Sequence, residues 1–160
     1  MARIAVTGHM DLTPATVPLV DAALRNLLAD HQDADLIGIT CLAKGADQLF
    51  ARAVLDLGGQ LIIVLPSPNY REQKVRADNR ALFDELLAKA AEVRRMPYAE
   101  SGREAYEAAN AALLDIADRL VAVWDGRPSK DQGGTGAVVQ QARQLGKPVD
   151  VIWPHGARRG

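Results

Sequence analysis

Residues 36–65, LIGITCLAKGADQLFARAVLDLGGQLIIVL, read as strand, turn, helix, turn and strand in unbroken succession. Residues 36–40 are a short apolar run with β-branched side chains, the composition of a buried strand. Leu49, Phe50, Ala53, Val54 and Leu57 then recur at helical spacing as one apolar stripe, which Gly58-Gly59 closes. Residues 60–65 follow at once as a second apolar run. Strands joined by a helix through connections this short pair in parallel, with a right-handed crossover.

The same plan extends in both directions. Residues 3–7 form a first strand that stops at Gly8. Thr13-Pro14 offers an N-cap and then the one helical position where proline loses no hydrogen bond. Val17, Val20, Leu24, Leu27 and Leu28 carry that helix to near Asp30. Consecutive units of this kind predict an α/β fold: an open, doubly wound, mostly parallel sheet of about six strands with helices on both faces, Rossmann-like in plan. Residues 66–80 are polar and read as a long loop holding Arg71, Lys74, Arg76 and Arg80, ahead of a helix with Leu82, Phe83, Leu86 and Leu87. Residues 92–96 read as a strand, and Ser101 starts a helix through Ala117 with a capping-box pattern to Glu104. Residues 120–124 are a strand, 125–136 a glycine-containing loop, 137–145 a helix closed by Gly146, and 149–153 the last strand. The expectation is one domain over 1–154 and a frayed tail over 155–160.

Composition narrows the classes. With 160 residues, 48% hydrophobic and 24% charged, the chain reads as soluble and globular and is too short for two ordinary domains. A net charge of −1 disfavours a surface that grips duplex nucleic acid by neutralising phosphates. Cys41, the only cysteine, excludes an intrachain disulfide and any multi-cysteine metal site. No metal or other cofactor is expected, nor is membrane insertion. The start, MARIAVTG, lacks an apolar export segment, so the expected location is cytoplasmic.

In an open sheet of this kind ligands sit outside the carboxyl ends of the strands. Three loops lie there: Thr7-Gly8-His9, residues 41–47 and residues 125–136. Gly133-Gly134-Thr135-Gly136 directly precedes a helix, where bare amides and the positive helix end suit an anion and Thr135 adds a hydroxyl; a plain flexible loop is the alternative. His9 either places an imidazole beside a ligand or packs on a helix start. Lys44 either meets a phosphate or is solvated. Gly45 and Asp47 fit a turn and a first helical turn as well as a ligand. Asn110 shares a helical stripe with Tyr106, Leu113 and Ala117, so its amide either bonds a ligand or ties down a loop. Asp125, at the end of its strand, faces the cleft by position, and Cys41 reads as a small buried thiol rather than a nucleophile.

Residues 39–47, ITCLAKGAD, resemble the signature of the DNA-processing protein A family. The run from Asn110 through Asp118 to Val121-Ala122-Val123-Trp124-Asp125-Gly126, followed by Gly133-Gly134-Thr135-Gly136, is similar to the wider Rossmann-like (SLOG) superfamily. That set joins the DNA-processing proteins to the Lonely-guy phosphoribohydrolases and the molybdenum-cofactor carriers. The resemblance covers residues 3–153 and implies a Rossmann-like sheet, a nucleotide or related phosphate ligand, and a homodimer. Two departures stand out. The phosphoribohydrolase motif PGGxGTxxE is met here by residues 132–140, QGGTGAVVQ, and Gln140 cannot supply a carboxylate. Cys41 stands where the DNA-processing family has glycine.

The leading expectation is binding of a nucleotide or nucleotide-derived phosphate ligand by Thr7, Gly8, His9, Lys44, Gly45, Asp47, Asn110, Gly126, Gly133, Gly134, Thr135 and Gly136. The rivals are a glycosidase cleaving nucleoside monophosphates, with Asp125 as the catalytic carboxylate, and a single-stranded nucleic-acid binder using Lys44 and the basic run around Arg76.

Overall fold

The computed structural model describes residues 2–31, 35–128 and 134–160. The chain runs β1 (Ala2–Gly8), α1 (Thr16–Ala29), β2 (Leu36–Thr40), α2 (Ala46–Asp56), β3 (Gln60–Leu65), α3 (Tyr70–Lys74), α4 (Arg80–Ala88), β4 (Glu92–Arg95), α5 (Arg103–Ile116), β5 (Arg119–Val123), α6 (Thr135–Gln144) and β6 (Val149–Ile152). Six strands form one sheet in the order β4-β3-β2-β1-β5-β6, every neighbouring pair parallel. A sheet whose strands are all parallel must be covered on both faces. Val20 and Leu24 of α1, Phe50 and Val54 of α2 and Phe83 of α4 pack with Ile4, Val6, Leu61 and Ile63 on one face. Leu113 and Leu114 of α5 and Val138 and Val139 of α6 pack with Ala5, Ile39, Val64 and Ala122 on the other. Gly38 of β2 admits α2 closely: a Cβ there would lie 2.7 Å from Val54 Cγ2 and 2.9 Å from Phe50 Cε1.

Several local expectations are corrected. Helix α1 starts at Thr16 with Ala15 at its N-cap and no side-chain cap; the Thr13 hydroxyl instead meets Thr16 Oγ1 at 2.6 Å. The capping box at Ser101 does not form, because α5 starts at Arg103 behind Gly102. The Ser101 hydroxyl bonds Ser67, and its amide donates to Gln73 Oε1 at 3.0 Å. Those bonds help order the stretch expected as a long loop, which contains α3 and a 3-10 turn over Ala77–Asn79. Helix α6 begins at Thr135, two residues ahead of the expected start at 137, and β4 ends at Arg95.

The segment after β6 runs back against the β1–α1 turn. The Thr13 amide donates to the Arg158 carbonyl at 3.2 Å, and the Arg158 amide donates to Thr16 Oγ1 at 2.8 Å. Leu12 and Arg159 make an antiparallel bridge, and the Gly160 amide donates to the Asp11 carbonyl. The physical reason is that the β1–α1 turn carries backbone groups outside the ladder and the helix, and the returning segment pairs them. Among the described residues, no helix is long and apolar enough to cross a membrane.

Phe50 is fully buried where α2 meets β2. Phe50→Ala should therefore lower unfolding stability by about 3–5 kcal/mol. The measurement is chemical denaturation with an unchanged m-value, and a loss below about 1 kcal/mol would show that α2 docks by other means.

Candidate functional site

β1 and β5 are sheet neighbours whose connections leave in opposite directions, toward β2 and toward β6. Such a switch point leaves a crevice outside the carboxyl ends of the strands. A cleft of about 1180 Å³ opens there, with Thr7, Gly8 and His9 at its base.

The turns after β1 and β2 are pressed together. The Ala46 amide donates to the His9 carbonyl at 3.2 Å. A Cβ on Gly8 would stand 2.5 Å from Ala46 Cβ and 2.9 Å from Val123 Cβ. Gly45 has φ +88°, and a Cβ there would stand 2.7 Å from the Met10 carbonyl oxygen. Gly8 thus lines the cleft, whereas Gly45 lies behind it as the contact between the two turns.

In the turn between β2 and α2 the protein uses its own amides. The Ala43 amide donates to Asp47 Oδ2 at 3.3 Å, and the Leu42 amide, at φ +60°, donates to Thr40 Oγ1 at 3.0 Å. Asp47 is buried against the cleft. Burial pushes its carboxyl from 3.8 up to about 7, against the pull of the Ala43 amide and the Thr40 hydroxyl toward the charged form. Burial, and then the Asp47 charge, raise the Cys41 thiol, so it is not a thiolate. Lys44 is exposed and does not line the cleft.

At the end of β5 the geometry centres on His9 and Asp125. The Asp125 amide donates to His9 Nε2 at 3.1 Å, which makes that nitrogen an acceptor and leaves the ring proton on Nδ1. Burial lowers the His9 pKa, the Arg159 charge lowers it further, and Asp125 and Asp11 oppose both. Trp153 meets the imidazole edge-on, with ring centroids 5.5 Å apart. Burial also disfavours the charged form of Asp125, but the Arg127 amide at 3.0 Å and the nearby His9 and Arg159 outweigh it, so the carboxyl titrates below its ordinary value. Asp125 is therefore an anion at neutral pH.

Gly134 is the N-cap of α6, and Thr135 begins the helix; both line the cleft. As the first residues of the helix, Thr135 and Gly136 have amides without an intrahelical acceptor. Gly136 and Gly126 do not line the cleft; Gly126, at φ +81°, turns the chain after Asp125. Gly133 lies outside the described residues. Across the cleft, Asn110 and Tyr106 of α5 line the wall beside Tyr70, with the two tyrosine rings 6.3 Å apart and edge-on.

The structure therefore brings together Thr7, Gly8, His9, Asp47, Asn110, Asp125, Gly134 and Thr135. Sequence reasoning missed Tyr70, Arg127, Arg158 and Arg159, which also line the cleft. Tyr70 sat in a polar stretch without periodicity, and the arginines sat in a loop and a tail with no pattern to place them. Among the described residues, no group of three or more His, Cys, Asp or Glu could hold a metal ion.

No protein-family model and no curated protein matches the sequence. Solved structures do match in fold. DNA processing protein A from Streptococcus pneumoniae is 17% identical with a TM-score of 0.69, over 98% of this chain and 52% of that one. DNA processing protein A from Helicobacter pylori, described for its single-stranded DNA binding mode, is 15% identical with a TM-score of 0.66, over 99% and 68%. The molybdenum cofactor carrier protein from Chlamydomonas reinhardtii is 19% identical with a TM-score of 0.58, over 94% and 75%. The chain thus spans about half the length of the Streptococcus protein. The resemblance read from the sequence is met in the fold that these proteins share.

His9 and Asp47 make opposite contributions to pH dependence. The lowered His9 pKa gives stability that is present above its unfolded value of 6.5 and is lost as pH falls through the folded value. The raised Asp47 pKa gives stability that is present below 3.8 and is lost as pH rises through about 7. In urea unfolding between about pH 4 and pH 8, Asp47→Asn should therefore gain on the wild type steadily as pH rises. A constant difference across that range would mean that Asp47 titrates at its ordinary value.

Proposed function

We propose that the protein binds a nucleotide, or a nucleotide-derived molecule that carries phosphate, in the cleft between the ends of β1 and β5. One observation carries this reading: the start of α6, with Gly134 and Thr135 and no acid in its first turn, opens into that cleft, while the first turn of α2 carries the protein's own buried Asp47. A helix start with free amides attracts an anion, and a buried carboxyl on the other helix start repels one. The phosphate accordingly belongs at α6. The neutral part of the ligand belongs beside Asp47, Asn110, Tyr70 and Tyr106, where an aromatic edge, an amide and a carboxyl suit a base or a sugar hydroxyl. Small-molecule pockets run to about 300–1,000 Å³, so a ligand of this size has room. One neighbour in fold is a cofactor carrier, and holding a ligand without turnover is what this reading asks of the cleft.

A second reading keeps the same ligand and adds cleavage of its N-glycosidic bond. It is favoured by two carboxyls in one cleft with opposite titration, Asp125 ionised and Asp47 raised to about 7. Gln140 is exposed and off the cleft, so it takes no part in this reading. Assay of free base released from AMP tests it, and Asp125→Asn should abolish any release. Single-stranded nucleic-acid binding has less support. Arg71 is paired with Asp84 at 2.7 Å, and Arg80 donates to the Val75 carbonyl at 3.1 Å, so much of the basic run is already engaged.

Titration calorimetry with mono-, di- and cyclic nucleotides should give saturable binding, and Thr135→Val should weaken it about fivefold through loss of one hydroxyl hydrogen bond. A folded sample that binds none of them sinks the proposal. Light scattering on the same sample tests the homodimer that belongs to this reading.

A further inference from the structure

The segment after β6 does more than cover the β1–α1 turn. Trp153, Ala157, Arg158 and Arg159 line the cleft, and the backbone bonds to Leu12, Thr13 and Thr16 fix where the two arginines stand. Building on the nucleotide reading, we infer that Arg158 and Arg159 supply the cationic side of the phosphate site and make the cleft select phosphorylated over unphosphorylated ligands.

Charge balance carries the argument. Among the described residues that line the cleft, the side-chain carboxyls are those of Asp11, Asp47 and Asp125, and the arginines are Arg127, Arg158 and Arg159. Without the pair at 158 and 159, one arginine would face Asp11, Asp125 and a part-charged Asp47, a net negative lining that would repel a phosphate dianion. Lys44, the cation expected from the sequence, is exposed and away from the cleft. Arg159 stands 3.2 Å from Asp11 Oδ1 and 3.8 Å from Asp125 Oδ2, with its side chain 46% exposed. The Asp11 pair, exposed on both sides, is weak, the Asp125 pair is long, and a doubly charged phosphate offers the guanidinium a stronger two-pronged partner than either carboxylate. Arg158 has no ion pair among the described residues.

Calorimetry with AMP, GMP, CMP and UMP, each beside its nucleoside, tests this on the wild type, Arg158→Ala, Arg159→Ala, the double variant and Lys44→Ala. The double variant should lose about tenfold or more in nucleotide affinity while nucleoside affinity stays within about twofold, with Arg159→Lys restoring part of the loss. Lys44→Ala should behave as wild type. A readout that needs no ligand is the NMR titration of His9, whose pKa should rise in Arg159→Ala because the Arg159 charge holds it down. Wild-type nucleotide binding that survives the double substitution overturns this inference and leaves the nucleotide reading intact. Equal loss of nucleotide and nucleoside makes the segment a wall rather than a charge source and also overturns it. An unchanged His9 titration removes Arg159 from the position argued here. A wild type that binds no nucleotide ends both readings.

Discussion

The carboxyl ends of β1 and β5 are held together by two bonds through one residue. The His9 amide donates to the Val123 carbonyl at 3.2 Å, and His9 Nε2 accepts the Asp125 amide at 3.1 Å. The first bond continues the ladder for one more residue; the second replaces the ladder with a side chain where the two backbones begin to part. Protonating the ring would give up the bond from the Asp125 amide and turn Nε2 to the Asp125 carboxylate, whose Oδ1 stands 3.4 Å away. The bond from the Asp125 amide needs the neutral ring, which burial and the Arg159 charge favour against the pull of Asp125 and Asp11. The Asp125 carboxylate, the Arg127 turn and the packing of Trp153 all follow from where that imidazole sits.

The two helix starts at the cleft show how one structural element can take opposite roles. Both α2 and α6 begin at the carboxyl edge behind a glycine N-cap. At α2 the first helical amide, that of Ala46, donates to the His9 carbonyl, and the Asp47 carboxyl stands in the first turn, so the positive helix end is answered within the chain. At α6 no acid stands in the first turn. The difference lies in residue 47 against residue 136, an aspartate against a glycine at the second position of each helix.

The strand-helix-strand repeats were legible because burial on both sheet faces demands apolar runs, and docking demands a stripe at helical spacing; Ile4, Ile39, Phe50 and Val54 satisfy both. Helix α3 was not legible, since at five residues it holds one buried side chain, Tyr70. Ser101 carried a cap signature, yet Ser67 competed successfully for its hydroxyl, and only the fold brings together residues so far apart in sequence. From chemistry alone the glycines at 133, 134 and 136 were read as a phosphate cradle, and those at 8 and 45 as lining the ligand. Gly8 proves also to be a packing contact, and so does Gly45, because a close approach of two turns and a close approach to a ligand leave the same mark in a sequence. Nothing in the pattern placed Arg158 and Arg159, whose positions depend on backbone bonds to residues 12–16.

The two flanks of the sheet differ in a way that bears on lateral growth. Strand β4 ends the sheet on one side with Glu92, Arg94 and Arg95, charged residues that make a second strand an unwelcome neighbour, and Arg94 meets Glu92 at 3.3 Å. Strand β6, on the other side, has four residues, with Val151 45% exposed and Asp150 turned to Arg119 at 3.0 Å. Both edge strands are four residues long, and the rim of β6 adds a single charge, Asp150, to that brevity. Lengthening β6, or replacing Asp150 with an apolar residue, would therefore remove the main safeguard against strand-by-strand aggregation, while the same change at β4 would still leave the charges of its neighbours in place.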